Sequence, residues 1–168
     1  GHDEDFPIDA LGRQIGRLGR KTTFDADAID NFLSIQYGGQ LAFLALSLLY
    51  DDNNWGTTPY QQDHIFPKSM FSWSHMKEQG FNREQYNTFA ELRDLVSNLE
   101  LLVFHENQEK QAMPFDRWIQ SRDATFKKRH LIPDDPELWK FVNFPQFVEK
   151  RELLIAKRLD RVLGAPVA

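Results

Sequence analysis

The chain has 168 residues, 41% hydrophobic and 13% aromatic, and a formal net charge of −5 at pH 7. This is enough apolar material for one well-formed core, so one domain is expected. The lack of cysteine excludes a disulfide framework and a thiolate zinc knuckle. No apolar run approaches the roughly 20 residues that span a bilayer, so we expect no membrane partner and a cytoplasmic location.

The first 23 residues mix an acidic start with Gly and Arg and show weak periodicity. They are interpreted as a flexible lead, the end of a preceding linker or a short helix, without a visible secretory signal. The chain starts abruptly, as expected of a piece cut from a larger protein. Residues 24–168 are expected to form the single domain.

The segment 25–50 has helical spacing throughout. Asp25 or Asp27 is suited to cap its start, and the pair Gly38-Gly39 is expected to break it into two helices. The next segment, 51–59, is a loop by its turn chemistry.

Two short strands are predicted at 60–67 and 97–104, the second with alternating apolar residues. Between them, 71–80 and 82–96 have the pattern of two helices, and Gly80 is expected to end the first.

After the second strand, 106–123 has a helical pattern that Pro114 is expected to kink or divide. A loop with two prolines follows at 130–139, and a long amphipathic helix is predicted at 144–163. The predicted fold class is therefore mainly α with a small β-hairpin.

Polar side chains fall where the two strands and the following helix meet. Asp63 and His64 lie in the first strand, Asn98 opens the second, and Asn107 and Lys110 share one helix face. Because consecutive strand residues point to opposite faces, Asp63 and His64 can serve one site only if the strand ends or twists there.

The series "DHIFP", "SNLELL" and "NQEK" resembles the HNH, or ββα-metal, endonuclease motif. The resemblance implies a ββα core at about 60–122, with a helical insertion at 71–96 that departs from the compact form. The flanking segments "LAFLALSLLY", "FKKRHLIPDDPELW" and "FVEKRELLIAKRL" resemble the C-terminal nuclease part of GmrSD-like restriction proteins, which are anti-phage proteins that cut modified DNA.

The resemblance assigns Asp63 and Asn107 to one divalent metal, Mg²⁺ or Mn²⁺, for which carboxylate and amide oxygens are suitable ligands. It makes His64 the general base, since a neutral imidazole suits that role near pH 7. Asn98 would position His64, and Lys110 would contact the DNA backbone. Weaker candidates for DNA contact are Lys68, Lys127, Lys128 and Arg129.

The function expected from this resemblance is a metal-dependent DNA endonuclease or nickase, the effector part of a larger bacterial anti-phage restriction protein. Its partners would be DNA and a ParB-like nucleotide-binding, modification-sensing N-terminal domain that this chain lacks. The acidic net charge predicts weak, salt-dependent DNA binding by this part alone. Alternatives are an inactive DNA- or protein-binding module and an RNA-directed nuclease with the same site. His130 is assigned either to DNA contact or to a structural role.

Overall fold

The computed structural model describes residues 26–50 and 58–163, and within them the predicted fold class is confirmed. One antiparallel hairpin, β1 (Tyr60–His64) and β2 (Leu99–Val103), is surrounded by helices. The described helices are α1 (Ala26–Leu33), α2 (Gly39–Ser47), α3 (Trp73–Glu78), α4 (Arg83–Leu92), α5 (Phe104–Lys110), α6 (Phe115–Gln120), α7 (Ala124–Arg129) and α8 (Phe144–Leu163). The predicted lead at 1–23 and most of the predicted loop at 51–59 lie outside the described residues.

The hairpin register pairs Asp63 with Glu100 and His64 with Leu99. β1 is shorter than predicted: it ends at His64, and Pro67 precedes a 3₁₀ turn, Lys68–Phe71. The strand therefore ends at His64, where an end or a twist is needed if Asp63 and His64 are to serve one site. The sequence predicted one apolar face for β2. In the structure the first four residues of β2 are buried on both faces, and they include Glu100.

Glycine and proline end the helices at two of the predicted places. Gly38 and Gly39 have φ of 96° and 71°, a left-handed conformation that separates α1 from α2. Pro114 stands immediately before α6 and so divides the predicted helix 106–123 into α5 and α6.

The long helix α8 was predicted with its observed bounds, and it links two hydrophobic clusters. Ile155 and Leu159 pack into a cluster with α2 and β2, whereas Phe144 and Phe147 belong to an aromatic cluster around Phe66. Neither α8 nor any other helix within the described ranges is long and apolar enough to cross a membrane.

The Phe66 ring fixes the end of β1 against this aromatic cluster. It is fully buried, and its centroid lies 4.6 Å from that of Phe115, 5.1 Å from Phe144 and 5.0 Å from Phe147. Because Phe66 follows His64 by two residues, its packing anchors the chain just beyond the candidate site.

We predict that Phe66→Ala lowers the free energy of unfolding by about 3–5 kcal/mol, since it leaves a cavity in the aromatic cluster. Urea denaturation measures this directly. Phe104→Ala, at a residue with 55% exposure, is the control and should cost far less. Equal losses for the two variants would contradict the described packing.

Candidate active site

Lys110 is fully buried at the end of α5, and its ammonium group joins both strands of the hairpin. It donates to the Asp63 carboxylate, to Glu100 Oε1 at 2.8 Å and to the backbone carbonyl of His64. A lysine ammonium has three donors, so all are used. In this structure no donor of Lys110 is left for the predicted DNA contact, and the side chain holds Asp63 and the carbonyl of His64 instead.

The buried polar network continues from Glu100 into the core. Glu100 Oε2 lies 3.4 Å from His130 Nδ1, and the same ring nitrogen lies 2.9 Å from the Tyr50 hydroxyl. Arg151, also buried, donates to the carbonyl of His130 at 3.2 Å. Of the two roles assigned to His130, these contacts support the structural one.

His64 is 7% exposed and is held by an aspartate that the sequence reading did not single out. Its Nε2 lies 2.8 Å from Asp94 Oδ1, while Arg93 donates to Asp94 Oδ2 at 2.6 and 3.0 Å. The Tyr37 ring packs against the imidazole, with 4.4 Å between centroids. Because a carboxylate only accepts hydrogen bonds, the proton of a neutral His64 is assigned to Nε2, and Nδ1 keeps its lone pair.

The environment of this pair favours a neutral imidazole beside an ionised carboxylate. Burial lowers the pKa of His64 from its usual value of 6.5, although Asp94 opposes the shift. Burial alone would raise the pKa of Asp94, but hydrogen bonds from Arg93 and His64 outweigh it and lower that pKa. Both shifts favour a neutral His64 at pH 7, whose Nδ1 can accept a proton.

Asn98 ties together the two chain segments that carry this pair. Its Oδ1 accepts the backbone N–H of Phe66 at 2.9 Å, and its Nδ2 donates to the carbonyl of Arg93 at 2.8 Å. Its own carbonyl accepts the N–H of Ile65 at 2.8 Å. Asn98 is buried, so it orients backbone beside His64 and Asp94, contacts that suit the predicted positioning role.

Asp63 and Asn107, the predicted metal ligands, lie along one face of the β1–α5 contact. Gln61 and Asp63 share a strand face, and Asn107 Nδ2 donates to Gln61 Oε1 at 2.6 Å while Lys110 binds Asp63 Oδ2. Among the described residues, neither Oδ1 atom has a hydrogen-bond partner. The donor types suit a hard divalent cation whose coordination shell is completed by water.

A metal ion bound to Asp63 and Asn107 would have few protein ligands. Over 26–50 and 58–163, no group of three or more His, Cys, Asp or Glu side chains is arranged to hold a metal ion. An Asp–Asn pair would therefore depend on water and phosphate oxygens for the rest of the coordination shell. Burial raises the pKa of Asp63, and the attraction of Lys110 offsets this only in part.

Asp63 and His64 point to different partners, as strand alternation requires. Asp63 contacts Lys110, whereas His64 contacts Asp94 and Tyr37. Each charge nevertheless shifts the pKa of the other, since Asp63 raises that of His64 and His64 lowers that of Asp63. The end of β1 thus presents a carboxylate to one side and an imidazole to the other.

The weaker DNA-contact candidates divide into two groups. Lys68 is exposed, and its charge contributes to the lowered pKa of His64, so it belongs to the surroundings of the site. Lys127 lies over the Trp139 ring at 4.8 Å, and Arg129 over the Tyr50 ring at 5.0 Å. Lys128 is exposed. These last three are on α7, outside the β1–β2–α5 unit.

Sequence reasoning missed Asp94 and Glu100. Asp94 lies four residues before Asn98, and Glu100 two residues after it, inside the motif segment itself. An acidic residue within an otherwise apolar strand is a signal for a buried ion pair. Asp94 carried no comparable signal.

Comparison with protein-family models gave no match, and a search of curated proteins gave no significant match.

We predict that Lys110→Met lowers the free energy of unfolding at pH 7 by about 3–5 kcal/mol, because it leaves the buried Glu100 carboxylate facing the half-buried Asp63 carboxylate. The loss should shrink at acid pH. The folded pKa of Asp63 is already raised, so the folded state binds this proton more tightly and is stabilised as pH falls. Urea denaturation at several pH values measures both effects.

Lys68→Met, at an exposed lysine, is the matched control. Adding Glu100→Gln to Lys110→Met should restore part of the lost stability. A Lys110→Met protein as stable as the control variant would contradict the buried ammonium.

Proposed function

We propose that this chain is a metal-dependent DNA endonuclease or nickase domain of the HNH type. The observation that carries the proposal is the pairing of a buried, neutral His64 with Asp94, at the end of a strand whose preceding residue offers a carboxylate oxygen. The order of these residues along the chain supports the same proposal: Asp63 and His64 end β1, Asn98 ends the 3₁₀ turn directly before β2 rather than opening the strand as predicted, and Asn107 lies on α5.

His64 would act as the general base for the attacking water. Hydrolysis of a phosphodiester requires removal of a proton from this water, and Nδ1 of His64 is the acceptor atom. The imidazolium that forms is stabilised by Asp94, which is held in turn by Arg93. Asp94 is thus a positioning residue that keeps the proton on Nε2 and the lone pair on Nδ1.

Asp63 and Asn107 would hold one Mg²⁺ or Mn²⁺ through their Oδ1 atoms. Because Asp63 and His64 face opposite sides of the end of β1, the scissile phosphate would have to lie across that end for both to act on it. When bound, such an ion supplies Lewis-acid stabilisation of the scissile phosphate and the leaving oxygen. Lys110 contributes by fixing the Asp63 carboxylate through its other oxygen. Lys68, exposed beside the site, is available for a phosphate oxygen.

The proposed biological setting follows the resemblance of the sequence to GmrSD-like restriction proteins. The chain would be the cutting part of a bacterial anti-phage protein and would act on DNA selected by a ParB-like nucleotide-binding domain. With a net charge of −5, it should bind DNA weakly by itself, with a steep dependence on salt.

The direct test incubates the purified chain with supercoiled plasmid in Mg²⁺, in Mn²⁺ and in EDTA. We expect metal-dependent nicking, and His64→Ala should reduce its rate by about 10²-fold or more through loss of the base. His75→Ala, on α3, is the matched control and should keep full activity.

Thermal melting of each variant establishes that the fold is intact. Cleavage of a matched RNA but not of DNA would mean that the substrate is RNA instead of DNA. Nicking that His64→Ala leaves unchanged would contradict the proposal.

A second prediction concerns pH. The rate should rise as pH increases through the lowered pKa of His64, so the acid limb lies below pH 6.5. Because the Asp94 charge raises the His64 pKa, Asp94→Asn should move this limb to still lower pH and reduce the plateau rate. A pH–rate profile of kcat/KM for both proteins gives the answer, and an unmoved acid limb would exclude the assigned role of Asp94.

A further inference from the structure

A basic groove lies between α7 and α8, outside the β1–β2–α5 unit. Its volume is ≈ 560 Å³. Five basic side chains line it against one carboxylate, that of Asp134; the basic residues are Lys127, Lys128, Lys157, Arg158 and Arg161. We refer to it as the α7–α8 groove.

The spacing of these residues places them on facing helix surfaces. Lys157 and Arg161 are four residues apart on α8, as Ala124 and Lys128 are on α7, so each pair lies on one side of its helix. The floor between the helices is apolar and includes Leu131 and Leu154.

Five basic side chains against the one carboxylate of Asp134 give the groove lining an excess of positive charge. Like charges three and four residues apart on a helix destabilise it by a few tenths of a kcal/mol per pair, yet a chain of net charge −5 concentrates five cations here. Low-dielectric walls lined by one sign of charge focus the electric field into a cleft and attract ions of opposite sign. The apolar floor therefore strengthens the attraction.

We infer that the α7–α8 groove binds the sugar-phosphate backbone of a nucleic acid, beside the segment that is cut; the inference rests on the proposed function. A row of phosphates suits the row of cations, because Lys157 and Arg161 are separated by about 6 Å along the helix axis, close to the roughly 7 Å that two phosphate steps of one strand rise along the duplex axis.

The helix α7, which forms one wall of the groove, also contacts the start of β1 through a residue outside the groove lining. Arg129, next to Lys128 on α7, places its guanidinium 5.8 Å from the ring centroid of Tyr60, the first residue of β1. His64 ends the same strand, four residues or roughly 13 Å further along. One bound strand could therefore reach from the groove to the imidazole.

The test measures binding of a fluorescent duplex in EDTA, so that no cleavage is needed, over a series of salt concentrations. The groove variant combines Lys128→Gln, Lys157→Gln and Arg161→Gln, which are exposed positions. It spares Arg158, which donates to the carbonyl of Leu49. The control combines Lys77→Gln, Arg117→Gln and Lys150→Gln, also exposed, and so removes the same charge.

We expect the groove variant to bind at least about tenfold more weakly than the control variant at low salt, with a slope of log K against log salt smaller by about 2–3, near one unit per lost phosphate contact. Equal affinities and slopes for the two variants, or no duplex binding by the unmodified chain, would overturn the inference. The inference would also be overturned if the groove substitutions abolished binding of polyglutamate or ATP but left duplex binding unaffected.

The assay separates this inference from the proposed function. Groove-dependent duplex binding by a chain that cuts no plasmid would support the groove and count against the nuclease. Plasmid nicking with equal duplex binding by the two variants would support the nuclease alone.

Discussion

The arrangement at the candidate site depends on one buried ammonium group. Asp63 and Glu100 oppose each other across the hairpin, and like charges in that position destabilise a sheet. Lys110 resolves the conflict by binding both carboxylates and the carbonyl of His64. The same contacts dock α5 on both strands, so the ion cluster holds together the strand, strand and helix that carry the polar residues. A buried charge is costly unless it is paired and hydrogen-bonded, and here every donor is used.

This constraint divides the end of β1 into two chemical environments. Towards α5, a fixed carboxylate oxygen and the amide oxygen of Asn107 offer hard ligands. On the other side, Asp94 and Tyr37 hold an imidazole that burial keeps neutral. Pairs of titratable groups whose surroundings push their pKa values apart are typical of acid–base sites. Here burial raises the pKa of Asp63 and lowers that of His64.

Local signals in the sequence were sufficient for most of the backbone. The glycine pair before α2, Pro114 before α6 and the apolar periodicity of α8 each act through a few neighbouring residues, so they could be read directly. The hydrogen-bond and ion-pair partners of the polar side chains could not be read from local signals. Whether Lys110 meets solvent or Asp63 depends on how α5 docks on the hairpin, and Asp94 reaches His64 only because a helical insertion folds back beside β1. The cations of α7 and α8 converge for the same tertiary reason.

NMR of the chain with ¹⁵N-labelled imidazole rings would determine whether His64 has the protonation state that a general base needs. We expect a neutral His64 ring at pH 7 with its proton on Nε2, and a titration midpoint below the usual value of 6.5. His75, for which no carboxylate partner is described, provides the internal comparison. A proton on Nδ1 of the neutral ring, or a midpoint above pH 7, would contradict the assignment of His64 as the base.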